Sequence, residues 1–207
     1  GSGKSTVASL ILRFHDVTKG GVYLNGTDIR QMTQSFLRKH LSYVQQKAWL
    51  FSGTIASNLR YSNKNASDKE LMHAANVAQA GEFINSLPDG LNSYVAQGGT
   101  NFSGGQKQRL SIARALVKKP ELYIFDDSFS ALDFKTDAAL RKALANETKD
   151  AAVLIIAQRV STIKNADCIV VLNEGEMAGI GTHEELIKNC PVYKEIYDSQ
   201  TKEAQEA

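Results

Sequence analysis

The chain has 207 residues with 24 Lys and Arg against 22 Asp and Glu, a net charge of +2, which disfavours binding modes built on bulk positive charge, such as wrapping nucleic acid. At 43% hydrophobic, 22% charged and 8% aromatic it has ordinary globular composition. Its longest purely apolar run, AAVLIIA at 151–157, is far short of the about 20 residues that a membrane-spanning helix needs. Two cysteines, Cys168 and Cys190, are too few for a disulfide framework or a zinc site, fit a reducing compartment, and read as small core hydrophobes.

The chain opens on GSGKST without a Met or a signal-peptide pattern, so the numbering is expected to start inside a longer protein. KSTVASLILRF (4–14) places Val7, Leu10, Ile11 and Phe14 at helical spacing after a glycine-rich turn. GGVYLNG (20–26) and LSYVQQ (41–46) read as strands. From 47 to 117 helical patterns such as SDKELMHAANVAQA (67–80) dominate, with a turn at Pro88-Asp89-Gly90. LYIFDD (122–127), AAVLIIA (151–157) and CIVVL (168–172) are apolar runs separated by helical segments, the pattern of strands buried on both faces of a parallel sheet. GEMAGIGTHEEL (175–186) gives a last strand and a turn into a helix, and the polar tail from Thr201 is expected to fray. The fold class is therefore α/β, with a core at 1–46 and 118–207 and a helical insertion at 47–117.

Three groups of residues carry chemistry. Gly3-Lys4-Ser5 supplies the last three positions of G-x-x-x-x-G-K-[ST], a loop whose N–H groups cradle phosphate, whose Lys reaches the outer phosphates and whose hydroxyl holds Mg²⁺. A helix N-terminus there favours an anion further. In NFSGGQKQRLSIARAL (101–116), Ser103 reads as the N-cap of an amphipathic helix preceded by room for close backbone approach. Asp126 ends an apolar strand 21 residues after Gly105, where phosphate-loop enzymes keep a Mg²⁺-coordinating carboxylate, and Ser130-Ala131-Leu132-Asp133 follows.

With these motifs in this order, nearly the whole chain resembles the nucleotide-binding domain of ATP-binding cassette (ABC) transporters, a P-loop NTPase (RecA-like) fold with an inserted helical subdomain. The resemblance implies ATP and Mg²⁺ as ligands. It makes Gly1, Ser2, Gly3, Lys4, Ser5 and Thr6 the end of the Walker A loop, and Ser5, Gln46 and Asp126 the residues near Mg²⁺. Gln46 is similar to the Q-loop glutamine, with Gln45 where many relatives carry Pro. Phe102, Ser103, Gly104, Gly105 and Gln106 resemble the LSGGQ signature, with Phe for Leu, and residues 130–133 match the D-loop. In that family two such domains pair head to tail, so the signature faces the partner's nucleotide. WLFSGTIASNL, QGGTN and GTHEELIKN look most like the exporter branch, which implies a transmembrane domain as a further partner and a place on the cytoplasmic face of the cell membrane. Trp49 and Leu50 are open to two readings, core residues or part of the groove that receives the membrane domain.

The chain departs from the pattern on the residues of hydrolysis. Where active cassettes carry Glu after the Walker B Asp, it has Asp127, one methylene shorter, and where they carry the switch histidine it has Gln158, which cannot become cationic. A misplacement of about 1 Å can cost roughly 100-fold in rate, so binding is expected to outlast turnover. His183, opening a helix, reads as structural. The combination resembles the degenerate-site subunit of a heterodimeric, multidrug-type exporter, a heterodimer being favoured over a homodimer. The competing functions are an ATP-holding regulatory module and a soluble, non-transport ABC ATPase. The second is disfavoured because the chain has neither a long coiled-coil insertion nor a basic patch. The upstream strands and the adenine-stacking segment are expected to lie before residue 1.

Overall fold

A computed structural model describes residues 2–206. In chain order the elements are α1 (Lys4–Ile11), β1 (Tyr23–Leu24), β2 (Thr27–Asp28), α2 (Gln34–Lys39), β3 (Leu41–Val44), β4 (Gly53–Thr54), α3 (Ile55–Arg60), α4 (Asp68–Val77), α5 (Gly81–Ser86), β5 (Tyr94–Val95), α6 (Gly104–Val117), β6 (Leu122–Asp126), α7 (Phe134–Glu147), β7 (Ala152–Ile156), α8 (Val160–Ile163), β8 (Ile169–Asn173), β9 (Glu176–Gly181), α9 (His183–Asn189) and α10 (Pro191–Glu206). Contacts divide the chain into two compact units, Gly1–Met32 with Ile155–Ala207, and Thr33–Leu154. Within the second unit β3 and the helical segment are bonded together: Ser42 Oγ donates to the Ala115 carbonyl at 3.3 Å.

In the second unit β3 and β6 pair in parallel, from Leu41 opposite Leu122 to Val44 opposite Phe125, and β7 completes the sheet in the order β3-β6-β7. The helical segment is built on α6, whose Leu110 and Ile112 are fully buried with Leu50, Ile55, Leu59 and Leu71. Each such side chain contributes about 1.5–3 kcal/mol by leaving water, so Leu110→Ala costs about 2–5 kcal/mol once the cavity is included. The helices start where side-chain oxygens can satisfy their first amides. Ser67 with Glu70, Ser103 with Gln106 and Thr182 with Glu185 form reciprocal capping boxes at α4, α6 and α9.

In the first unit α1 ends at Ile11, three residues earlier than its apolar spacing suggests. Arg13 takes a left-handed conformation (φ 51°), and the bonds Arg13 N–H to Leu10 O and Phe14 N–H to Ser9 O close the helix. Arg13 is held there by its side chain, which donates to Asp16 Oδ1 at 2.9 Å and to the carbonyls of Ile29 and Met32 at 3.0 and 2.6 Å.

Three expectations are corrected. CIVVL does not join the parallel sheet: β8 pairs antiparallel with β9, Asn173 opposite Glu176. The reason is the two-residue turn Glu174-Gly175, both at positive φ (49° and 85°), which favours a local hairpin over a distant parallel partner. Burial accordingly alternates, with Val170 52% exposed, and in β7 Ala152 and Val153 are also exposed. Cys168, at the mouth of this hairpin, is exposed rather than core, whereas Cys190 is buried. The tail from Thr201 continues α10 to Glu206 instead of fraying. Among the described residues no helix is long and apolar enough to cross a membrane.

Candidate functional site

The first unit holds the end of the phosphate loop. Gly1 lies outside the described residues. Gly3 is the N-cap of α1 at φ 90°, a conformation that strains any residue with a Cβ, and it provides no side-chain cap. Lys4, Ser5 and Thr6 form the first turn, whose leading N–H groups have no acceptor at i−4 inside the helix, the arrangement that suits an anion. Lys4 Nζ donates to Ser2 Oγ at 2.8 Å, which folds the ammonium back over the loop. The same unit holds Gln158 between β7 and α8. Its carbonyl accepts from Gln200 Nε2 at 2.8 Å, while Gln200 Oε1 accepts from the Val160 N–H at 2.8 Å. One side chain of α10 thus brackets the segment that carries Gln158.

The second unit gathers the carboxylates. Asp126 ends β6 and is only 5% exposed, and the Tyr43 hydroxyl of β3 donates to its Oδ2 at 3.0 Å. Burial, reinforced by the Asp126 carboxylate, pushes the Tyr43 phenol up to about 12, so it remains a donor at any ordinary pH. Asp127 follows at φ 46°, a left-handed conformation that Asp tolerates better than most residues. Gln46 Nε2 donates to Asp127 Oδ2 at 2.8 Å, and Ser130 Oγ donates to the Asp127 carbonyl at 2.8 Å. Gln46, Asp127 and Ser130 are therefore one bonded group.

The signature lies in the same unit. Ser103 Oγ accepts from the Gln106 N–H at 3.2 Å and Gln106 Oε1 accepts from the Ser103 N–H at 2.9 Å, so both polar signature residues cap α6. A Cβ on Gly104 would meet nothing within 4 Å, leaving that position open outward, whereas one on Gly105 would lie 3.5 Å from the Ala131 carbonyl and 3.9 Å from Leu132. Residues 131–132 thus lie against Gly105. Phe102 rests on Phe83 of α5, ring centroids 6.2 Å apart, and the Arg109 guanidinium lies over the Phe83 ring at 5.1 Å from its centroid. Asp133 Oδ1 accepts from the Thr136 N–H at 2.9 Å to cap α7, and these bonds hold its carboxyl below the usual range.

Gln46 and Asp126 of the second unit offer an amide oxygen and a carboxylate, and Ser5, taken by itself in the first unit, a hydroxyl. Hard oxygen donors in small number are what Mg²⁺ takes, with water and phosphate completing its shell. Each of these groups, by itself, is of the kind that suits the ion. Several residues that shape the site escape sequence reasoning. Tyr43 and Ser128 read as ordinary strand and turn residues, Gln108 as one more polar residue of an amphipathic helix, and Gln200 carries no signal of its own. Only the register of β3 against β6, which brings Tyr43 opposite Ile124, could have hinted that Tyr43 reaches Asp126.

Trp49 and Leu50 divide between their two readings. Leu50 is core, while Trp49 is 52% exposed, and Phe51 and Tyr61 beside it stack with centroids 4.8 Å apart on the surface.

Comparison with known proteins gives a consistent picture. The sequence profile of the family described as ABC transporter matches residues 1–130. An uncharacterized ABC transporter ATP-binding protein of Mycobacterium tuberculosis is 46% identical over 204 residues, covering 97% of this chain and 35% of its own length. The mitochondrial potassium channel ATP-binding subunit of Homo sapiens is 45% identical over 205 residues, covering 99% of this chain and 28% of its own length. The structure of a bacterial Atm1-family ABC exporter with ATP bound superposes with a TM-score of 0.93 at 39% identity, covering 96% of this chain and 35% of that one. The chain spans about a third of the length of these relatives. Its α/β fold with a parallel sheet is that of the ABC ATPase domain, a P-loop NTPase, and the chain belongs to the ABC transporter family.

Proposed function

We propose that this chain is the ATP-binding domain of an ABC exporter, retaining nucleotide at its own site while turning it over slowly, and completing a second site through its signature. Lys4 takes the phosphates, and Ser5, Gln46 and Asp126 serve Mg²⁺, which when bound would neutralise charge on the phosphate oxygens. Asp127 and Gln158 stand at the positions of hydrolysis. The observation that carries the reading is the bonded group Gln46–Asp127–Ser130, next to a signature whose Gly104 faces outward. A second nucleotide-binding domain, in a hetero- rather than a homodimer, would present its nucleotide to Ser103, Gly104 and Gly105. The exposed aromatics Trp49, Phe51 and Tyr61 suit a transmembrane domain docking on the helical segment 47–117, and a place on the cytoplasmic face of the membrane is part of the same proposal.

The slow site rests on reach. The Asp127 carboxylate is one methylene shorter than Glu and is drawn to Gln46, so a water in line with the γ-phosphate is less well oriented. The test is ATPase activity of the full-length transporter with its dimer partner. Asp127→Gln is expected to leave most turnover, and Glu→Gln at the corresponding position of the partner to abolish it; the reverse result overturns the asymmetric reading. The same Gln46 bond favours one further reading, a regulatory module that holds ATP through many cycles and biases the dimer towards closure. Rapid exchange and hydrolysis at this site would exclude that module.

A further inference from the structure

α6 carries the signature at its start and Gln108 one turn further on. Gln108 is 2% exposed, and a buried amide is costly unless its hydrogen bonds are made, so the partner it has chosen is informative. Its Nε2 donates to the Gln45 carbonyl at 3.2 Å. Gln45 immediately precedes Gln46, the residue bonded to Asp127 Oδ2. The neighbouring carbonyl, that of Val44, accepts from the fully buried Ser128 Oγ at 2.9 Å. Two consecutive carbonyls at the exit of β3 are therefore each taken by a buried side chain, one from the segment after Asp127 and one from the signature helix. That clamp fixes the direction in which the chain leaves β3 and with it the root of the Gln46 side chain.

We propose that Gln108 is a positioning residue: by holding the Gln45 carbonyl it sets where Gln46 meets Asp127, and so links the helix that bears the signature to the carboxylate of this chain's own site. The inference rests on the reading of that site given above. It has a mechanical consequence. A displacement of α6 when the signature engages a neighbouring nucleotide is passed by one hydrogen bond to the Q-loop, without passing through the nucleotide of this chain. A glutamine that merely satisfies a strand end would stabilise the fold but would not act through Gln46, and non-additivity separates the two roles.

The experiment uses the full-length transporter with its dimer partner and follows single-turnover hydrolysis of radiolabelled ATP bound at this chain's site, with ATP affinity and thermal midpoint measured in parallel. Gln108→Met keeps the length and removes the donor, Gln108→Asn keeps an amide but shortens it, and each is made alone and with Gln46→Ala. Gln108→Met is expected to slow hydrolysis about tenfold with ATP affinity retained, and to slow it no further when Gln46 is already Ala, a coupling within the range found for residues in contact. Gln108→Asn is expected to show a smaller loss with the same non-additivity, and it decides the matter if the Met variant does not fold. Equal fold losses with and without Gln46, or no loss at all while wild type hydrolyses and Gln46→Ala is impaired, overturn the inference alone. A wild-type chain that binds no ATP at this site, or a Gln46→Ala variant without effect, overturns the reading of the site and the inference with it.

Discussion

The starts of α1 and α6 are both glycine- and serine-rich, both open a helix, and they use their amides in opposite ways. At α6 the chain satisfies itself: Ser103 and Gln106 exchange bonds across the first turn. At α1 the N-cap is Gly3, with no side-chain oxygen to offer, and the Lys4 ammonium lies folded over the loop. The first helix start has no side-chain cap, which suits the anion proposed for it, and the second is closed by its own side chains, so that what α6 presents outward is the unobstructed face of Gly104. Similar composition thus separates into an uncapped and a capped helix start, which under the proposed function are a binding end and a presenting end.

The largest effect that can break this contrast is at α1. Lys4→Ala removes a charge-assisted contact worth about 1.5–3 kcal/mol and is expected to weaken ATP binding to the full-length protein roughly 10- to 100-fold by calorimetry. Unchanged affinity would mean that α1 is not the binding end. At α6 the contrast is sharpened by a pair of variants. Ser103→Ala loses the cap, at about 1 kcal/mol or about 2–4 °C in thermal midpoint. Ser103→Asp keeps the cap and the midpoint but puts a negative charge where a neighbouring phosphate would sit, so turnover should fall while stability holds. If both variants reduce turnover only in proportion to stability, the signature serine is a cap and nothing more.

A smaller effect is expected behind the signature. Phe102→Leu gives up the ring contact with Phe83, about 0.5–1.5 kcal/mol, and should lower the thermal midpoint without changing ATP affinity at α1. The smallest is acid-dependent. Hydrogen bonds from Ser67 hold the Glu70 carboxyl below its ordinary value of 4.5, and those from Thr182 do the same for Glu185. With folded-state values depressed, their contribution is present above pH 4.5 and is lost as pH falls through and below it. The destabilisation caused by Glu70→Ala should therefore shrink as an acid titration followed by circular dichroism passes below that pH. A difference that persists in full would show that the α4 cap does not depend on the carboxylate.

Much of this arrangement is legible in the residues themselves. The cap at Ser103, the strand ending in Asp126 and the helical patterns within 47–117 follow from local rules of spacing and capping. What is not legible depends on pairing between distant segments. CIVVL has the composition of a buried parallel strand, yet the Glu174-Gly175 turn folds it against β9. Tyr43 reaches Asp126 only because β3 lies beside β6, and Gln108 reaches Gln45 only because α6 crosses the end of β3. Nothing local shows that Gln200, just before the polar tail, has bonds to make at Gln158 and Val160. His183 is the opposite case: helical context alone suggests a structural residue, and its Nδ1 lies 2.9 Å from the Tyr193 hydroxyl.

The central claim, a site that keeps ATP while hydrolysing it slowly, is tested most directly by recovering the nucleotide held by this chain in the full-length transporter. After incubation with Mg-ATP for many cycles of the whole assembly, covalent trapping at this site should yield predominantly ATP. Predominantly ADP, at the proportion found in the partner's site, would contradict it.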